Sequence, residues 1–198
     1  AFSWDRVSLG GPVFDLVKLS AMNADYLRAL DDAEIVRRLR AWRFSDEKLR
    51  ALVPLVRERI QRLDEFVPMT EFFFSGDVDY APVAKELLPK GRTPKEVSDG
   101  MLLFGEALDA HRDFSAPALE TLARTFAEKN GWQTKELFML LRLGATARKA
   151  TPPLFETLVG LGRELTRRRL RLAAEYIKKM PAAAAAPAKP VPPTPAKA

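Results

Sequence analysis

The sequence predicts an all-α protein: an α-helical cage or bundle of two subdomains followed by a disordered Ala/Pro-rich tail. Three observations predict it. Apolar residues recur at three- and four-residue spacing along most of the chain, the period of one buried helix face. A strictly alternating apolar–polar run, the mark of a half-buried strand, is hard to find. Helix start and stop signals break the pattern into short lengths. With 198 residues, 47% of them hydrophobic, the chain can bury a core in one large or two small domains.

The elements follow in order. Gly10, Gly11 and Pro12 precede the first helical pattern. A Walker loop needs a lysine and a hydroxyl at a helix start directly after a strand, and a dinucleotide fingerprint needs a third glycine. Neither is present, so the glycine pair is not a phosphate loop. Leu16, Leu19, Met22 and Tyr26 mark the buried face of a first helix, and Ile35, Val36 and Leu39 that of a second. Leu49, Leu52, Val53, Val56, Ile60 and Leu63 continue the stripe. Asp31-Asp32 sit at a helix start, where carboxylates favour the positive end of the dipole, and read as structural. Phe72-Phe73-Phe74-Ser75-Gly76-Asp77 reads as a loop with aromatic anchors in the core, and a breakpoint falls within 76–94.

Thr93-Pro94-Lys95-Glu96 is a capping box with proline at the first helical position, opening a helix through Met101, Phe104 and Leu108. Ser115 caps the next helix and Asn130-Gly131 ends it. Lys135 to Leu143 forms a short helix. Thr151-Pro152-Pro153 opens another, Gly160 and Gly162 weaken its end, and a basic helix runs from Arg163 to Lys178. The low-complexity stretch 181–198 has too little apolar content to fold and reads as disordered. The expected organisation is a junction over 1–14, a first helical subdomain over 15–90, a second over 91–180, and the tail.

The chemistry is sparse. The absence of cysteine excludes disulfides and thiolate metal sites. His111, the single histidine, stands beside Arg112 and Asp113 and reads as a surface residue rather than a general base. No catalytic constellation is evident. No apolar run approaches the ~20 residues of a membrane span, and no signal peptide is recognisable at the start; the expectation is a soluble cytoplasmic protein. The net charge is +6, yet Arg142 to Lys179 alone carries ten Lys or Arg against Glu156, Glu164 and Glu175. Such asymmetry fits a polyanionic partner or a solvated helix face. Thr151 precedes Pro152 at a helix N-terminus, an end that offers free N–H groups to phosphates or base edges. Arg142, Arg148 and Lys149 lie before it, and Arg163, Arg167, Arg168, Arg169 and Arg171 after it. Arginine pairs bidentately with phosphate and stacks on bases. Trp132 and Phe155 are candidate stacking faces, although Phe155 and Leu154 also suit a core.

Two separated stretches carry a family resemblance. FSWDRVSLGGPVFDLVKLSAMNADYLRAL is similar to the segment of bacterial glutamyl-tRNA synthetases that leads from the stem-contact region into the anticodon-binding half. Phe14-Asp15, Lys18-Leu19, Met22-Asn23 and Tyr26 are kept; Ala21 departs from the usual tryptophan. LLRLGATARKATPPLFETLVGLGRELTRRRLRLAAEYI resembles the closing motif of the same family, with Thr146-Ala147 near the usual Thr-Gly, about one place away. The resemblance covers residues 1 to about 178. It implies a helical cage of two subdomains and a junction around Gly10-Gly11. It also implies that the chain is an excised C-terminal piece, or a free-standing paralogue, whose catalytic half, with its HIGH and KMSKS-like signatures, lies upstream.

The resemblance further implies the site. Arg59 falls where discriminating members read the third anticodon base, and Arg57 and Arg62 are its neighbours. Arg142, Thr151, Pro152 and Leu154 fall where the family contacts the first two bases. Arg57, Arg148, Lys149, Arg163 and Arg167 form a supporting basic surface. The implied function is a tRNA anticodon-binding module of a glutamate–tRNA ligase, a monomer that selects glutamate tRNA and acts with its own N-terminal catalytic half. This chain itself would hold no cofactor; ATP and Mg would belong to that other half. The alternative is a free-standing helical interaction or RNA-binding protein without aminoacylation activity.

Overall fold

The structure is a computed structural model that describes residues 15–181; the Gly10-Gly11 junction and the tail beyond Pro181 lie outside the described residues. Among the described residues every regular element is helical. The chain divides into two compact units, Ala1–Leu49 and Arg50–Ala198.

The first unit contains α1 (Leu16–Arg28) and α2 (Asp32–Trp42), and α3 (Asp46–Val56) begins in it. Each of the first two helices starts on an aspartate. The Asp15 carboxylate accepts from the Val17 and Lys18 amides, and the Asp31 carboxylate from the Glu34 amide at 2.7 Å, satisfying orphan donors of the first turn. Asp31 is thus structural, as its place in the sequence predicts. Glu34 accepts from Arg37 and, one residue on, Arg38; those hydrogen bonds, Arg37's first, hold its carboxyl at about 2. The apolar stripe of α1 departs from expectation. It has the helical period, but no residue of α1 or α2 is buried, and Leu16 and Tyr26 are 66% and 72% exposed. Two short helices in a unit of this size enclose too little surface to make a core.

The second unit carries the core. Leu52 and Val56 of α3 are buried, as are Phe72 and Phe73 of α4 (Phe66–Phe74). The triple phenylalanine is therefore helical, correcting the expected loop. Pro68 lies in the first turn of α4, where its missing N–H costs no helical bond, and the turn begins only at Ser75. Then come α5 (Pro94–Ala110), α6 (Ala116–Lys129), α7 (Thr134–Thr146), α8 (Leu154–Leu161) and α9 (Arg163–Lys178). The Thr93–Glu96 capping box forms in full: the Glu96 amide donates to the Thr93 hydroxyl and the Thr93 amide to the Glu96 carboxylate. Gly162, at φ 82°, adopts the left-handed region that ends α8.

The most extensive pairing is α5 on α9, with α7 also on α9 and α6 against both α7 and α8. Gly144 permits this approach, since a Cβ there would lie 2.6 Å from Cε of Met101 and 3.0 Å from Leu170. Two polar groups tie the core to its helix ends. The hydroxyl of buried Tyr80 reaches the carbonyls of Gly144 (2.9 Å) and Arg169 (2.7 Å). Arg169, with no exposed surface, donates to the carbonyls of Phe72, Ser75, Gly76 and Ala145. It thereby satisfies acceptors at the C-terminal ends of α4 and α7 that intrahelical bonds leave open.

Candidate nucleic-acid interface

Arg59, Arg142 and Thr151 belong to three segments that meet at one backbone carbonyl. Arg59 follows α3 in a turn closed by its own amide on the Val56 carbonyl at 2.8 Å. Arg142 lies on the last turns of α7. That helix stops at Ala147, whose φ of 52° is left-handed and whose amide reaches the Leu143 carbonyl at 2.7 Å. Pro152 and Pro153 then hold the chain extended up to Leu154, and this bend returns Thr151 to the side of α7. Nη1 of Arg59 donates to the Thr151 carbonyl at 2.9 Å. Nη1 of Arg142 donates to the Thr151 hydroxyl and to the Pro152 carbonyl at 3.1 Å, and reaches the Thr151 carbonyl at 3.5 Å.

The pair is electrostatically unbalanced. Burial, and then the adjacent Arg59 charge, pull the Arg142 guanidinium below its usual range. Neither arginine has a carboxylate partner among the described residues. Two cations on one neutral acceptor favour an incoming anion or an acceptor-rich base edge.

The other expected site residues fall in different surroundings. Thr151, Pro152 and Leu154 are buried, Leu154 to 5% exposure, whereas Arg59 is exposed and Arg142 half-buried. Arg57 is exposed, beside Arg59. Arg148 donates to the Pro68 carbonyl at 2.6 Å and pairs with Glu71, binding the α7–α8 connection to α4. Lys149 pairs with Glu86 and depresses its carboxyl. Arg163 donates to the carbonyls of Leu108 and Arg112, and Arg167 pairs with Asp109. Arg168 forms a two-pronged bond with Asp77 at 2.6 and 2.8 Å and holds that carboxyl below its usual range. Much of the basic helix is therefore engaged within the protein.

Trp132 and Phe155 are buried: the Arg92 guanidinium covers the Trp132 ring at 3.7 Å, and the Phe155 and Phe138 rings form a T-shaped pair with centroids 4.9 Å apart. Neither offers a free face. Phe138 is the half-buried aromatic near Arg142 that sequence reasoning missed; its place four residues before Arg142, one helical turn away, was the available signal. His111 caps the end of α5 half-buried, with Nε2 enclosed and without a partner among the described residues, rather than lying freely on the surface.

An all-helical body that presents adjacent, uncompensated arginines beside a helix start defines a class of module suited to a polyanion. Comparison with known proteins gives the family. The family model described as an anticodon binding domain matches residues 29–174, and the chain belongs to that family. A glutamate–tRNA ligase of Thermus thermophilus is 36% identical over 185 residues, covering 87% of this chain and 37% of that protein. The glutamate–tRNA ligase of Stutzerimonas stutzeri is 31% identical, covering 89% and 35%. A crystal structure of a glutamate tRNA ligase from Elizabethkingia meningosepticum, in complex with its amino acid, shares the fold at a TM-score of 0.60 with 23% identity, over 89% of this chain and 36% of that one. The chain thus spans a little over a third of the length of the curated relatives it matches. Among the described residues, no helix is long and apolar enough to cross a membrane.

Proposed function

We propose that this chain is the tRNA-selecting part of a glutamate–tRNA ligase, reading the anticodon of glutamate tRNA as a monomer in the cytoplasm. In this reading, ATP, Mg²⁺ and the aminoacylation chemistry belong to a catalytic half outside this sequence. The observation that carries it is the convergence of Arg59 and Arg142 on the Thr151 carbonyl, because that junction joins the two stretches assigned to different anticodon bases. Arg59 takes the third base and Arg142 the first two, with the Thr151–Pro152 backbone and Leu154 fixing the shape of the pocket. Arg57 and Arg163, which have no carboxylate partner among the described residues, add positive potential that attracts the loop phosphates, whereas Arg148, Lys149 and Arg167 are held in ion pairs with Glu71, Glu86 and Asp109.

On an unpaired cytosine, N3 and O2 of the Watson–Crick edge accept from a guanidinium, whereas the same edge of guanine carries the N1–H and N2–H donors. The test is Arg59→Gln in the complete ligase. The preference for cytosine over guanine at the third anticodon position should narrow at least tenfold in kcat/KM, within the ~1–3 kcal/mol that a well-placed contact discriminates. An unchanged ratio rejects the assignment of Arg59.

A further inference from the structure

A groove of about 400 Å³ between α6 and α7 adjoins the Arg59–Arg142 pair. Lys135, Phe138 and Arg142 recur at i, i+3 and i+7, so a single face of α7 lines it. Arg124 of α6 closes it, with its guanidinium 5.3 Å from the centre of the Phe138 ring, while Thr134 and Met139 complete the lining. Edge-on packing against Phe155 fixes the Phe138 ring in place. Among the described residues no carboxylate lines the groove; Glu120 pairs with Arg124 from the preceding turn of α6. Lys135 is exposed and has no ion-pair partner among the described residues.

We propose that this groove is a further RNA subsite. It receives one unpaired nucleotide next along the strand from those at Arg59 and Arg142, its base against Phe138 and the Arg124 plane and its phosphate on Lys135. The inference rests on the anticodon reading above, since the strand reaches the groove through Arg142. Three features select a nucleotide over other occupants. The volume is that of a small-ligand site. An aromatic ring and a guanidinium plane together stack bases without regard to sequence. Two cations without a carboxylate partner among the described residues, Lys135 and Arg142, complement a phosphate.

The experiment titrates the full 198-residue chain with a stem-loop RNA carrying the glutamate anticodon, read by fluorescence anisotropy over a range of salt. A second series moves a single abasic site through the loop. Phe138→Leu keeps the apolar contact with Phe155 but removes the ring, and should weaken binding by about 5- to 150-fold, the worth of one stacked base. Lys135→Ala should reduce the slope of log affinity against log salt by about 0.7. One abasic position outside the anticodon triplet should cost the native chain the same factor as Phe138→Leu, and cost the Phe138→Leu chain nothing more. Unchanged affinity in Phe138→Leu and an unchanged slope in Lys135→Ala, with anticodon changes still felt, overturn the groove inference alone. Failure of the native chain to distinguish altered anticodons overturns the anticodon reading and this inference with it. If Phe138→Leu loses its helical circular dichroism, Lys135→Ala and the abasic series decide.

Discussion

Arg59 and Arg169 show how far a residue's role depends on what lies opposite it. Both are arginines in stretches that read as basic. Arg169 spends its guanidinium on four backbone carbonyls inside the core, whereas Arg59 meets one carbonyl shared with a second cation. The partners of Arg169 at Phe72, Ser75 and Gly76 lie far away in the sequence, on the other side of α5 to α8, so counting charges could not separate the two arginines. The resemblance supplied Arg59 and Arg142 as neighbours in function, and the Thr151 carbonyl is where their side chains meet. Ala147 is a second case. Its left-handed backbone costs an L-residue about 1 kcal/mol that glycine avoids. Ala147→Gly should therefore raise stability by a few tenths to about 1 kcal/mol, seen as a higher urea midpoint, because glycine's greater unfolded-state entropy offsets part of the gain. A lowered midpoint would show that the Ala147 methyl group contributes packing that outweighs the strain.

At the scale of elements, local signals were the legible ones. The Thr93–Glu96 box, the Asn130-Gly131 stop and the run from Arg163 to Lys178 all read correctly because the chemistry that caps or ends a helix lies within a few residues of it. The exception is α4, where Gly76 and Asp77 after three phenylalanines suggested a loop although Pro68 is compatible with a first turn. What holds α4 in place is long-range. Arg169→Met should cost about 3 kcal/mol or more, since several buried carbonyls lose their donor at once; a chemical-denaturation curve matching the native protein would refute that role. Tyr80→Phe removes one hydroxyl from the same junction and should cost about 1 kcal/mol.

For the whole molecule, the buried Tyr80 also predicts a pH response. Burial raises its phenol above the ordinary tyrosine value. The folded protein then keeps this proton at a pH where the unfolded chain releases it, so the contribution is full below about pH 10 and declines as pH climbs past 10. Urea unfolding followed from about pH 9 to 11 should show the decline, and Tyr80→Phe should flatten it; equal slopes in the two proteins would contradict this origin. Charge is the other global property. The excess over residues 142–179 was visible in the sequence, but its distribution into internal pairs such as Arg168 with Asp77 and Lys149 with Glu86 was not. The burial of α1 was misjudged for a related reason: periodicity reports which face is apolar, while covering that face depends on what packs against it.

Whether Arg59 and Arg142 together read unpaired RNA bases is decided by one binding comparison. The glutamate-anticodon stem-loop is set against loops altered at each anticodon base, for the native chain and for Arg59→Gln and Arg142→Gln. The native chain should lose at least about fivefold for each altered base, the lower end of what one base contact discriminates. Arg59→Gln should abolish the penalty at the third base alone, and Arg142→Gln the penalties at the first two. Equal affinity of the native chain for every loop, or identical loss of all three penalties in both variants, would contradict the joint role of the two arginines.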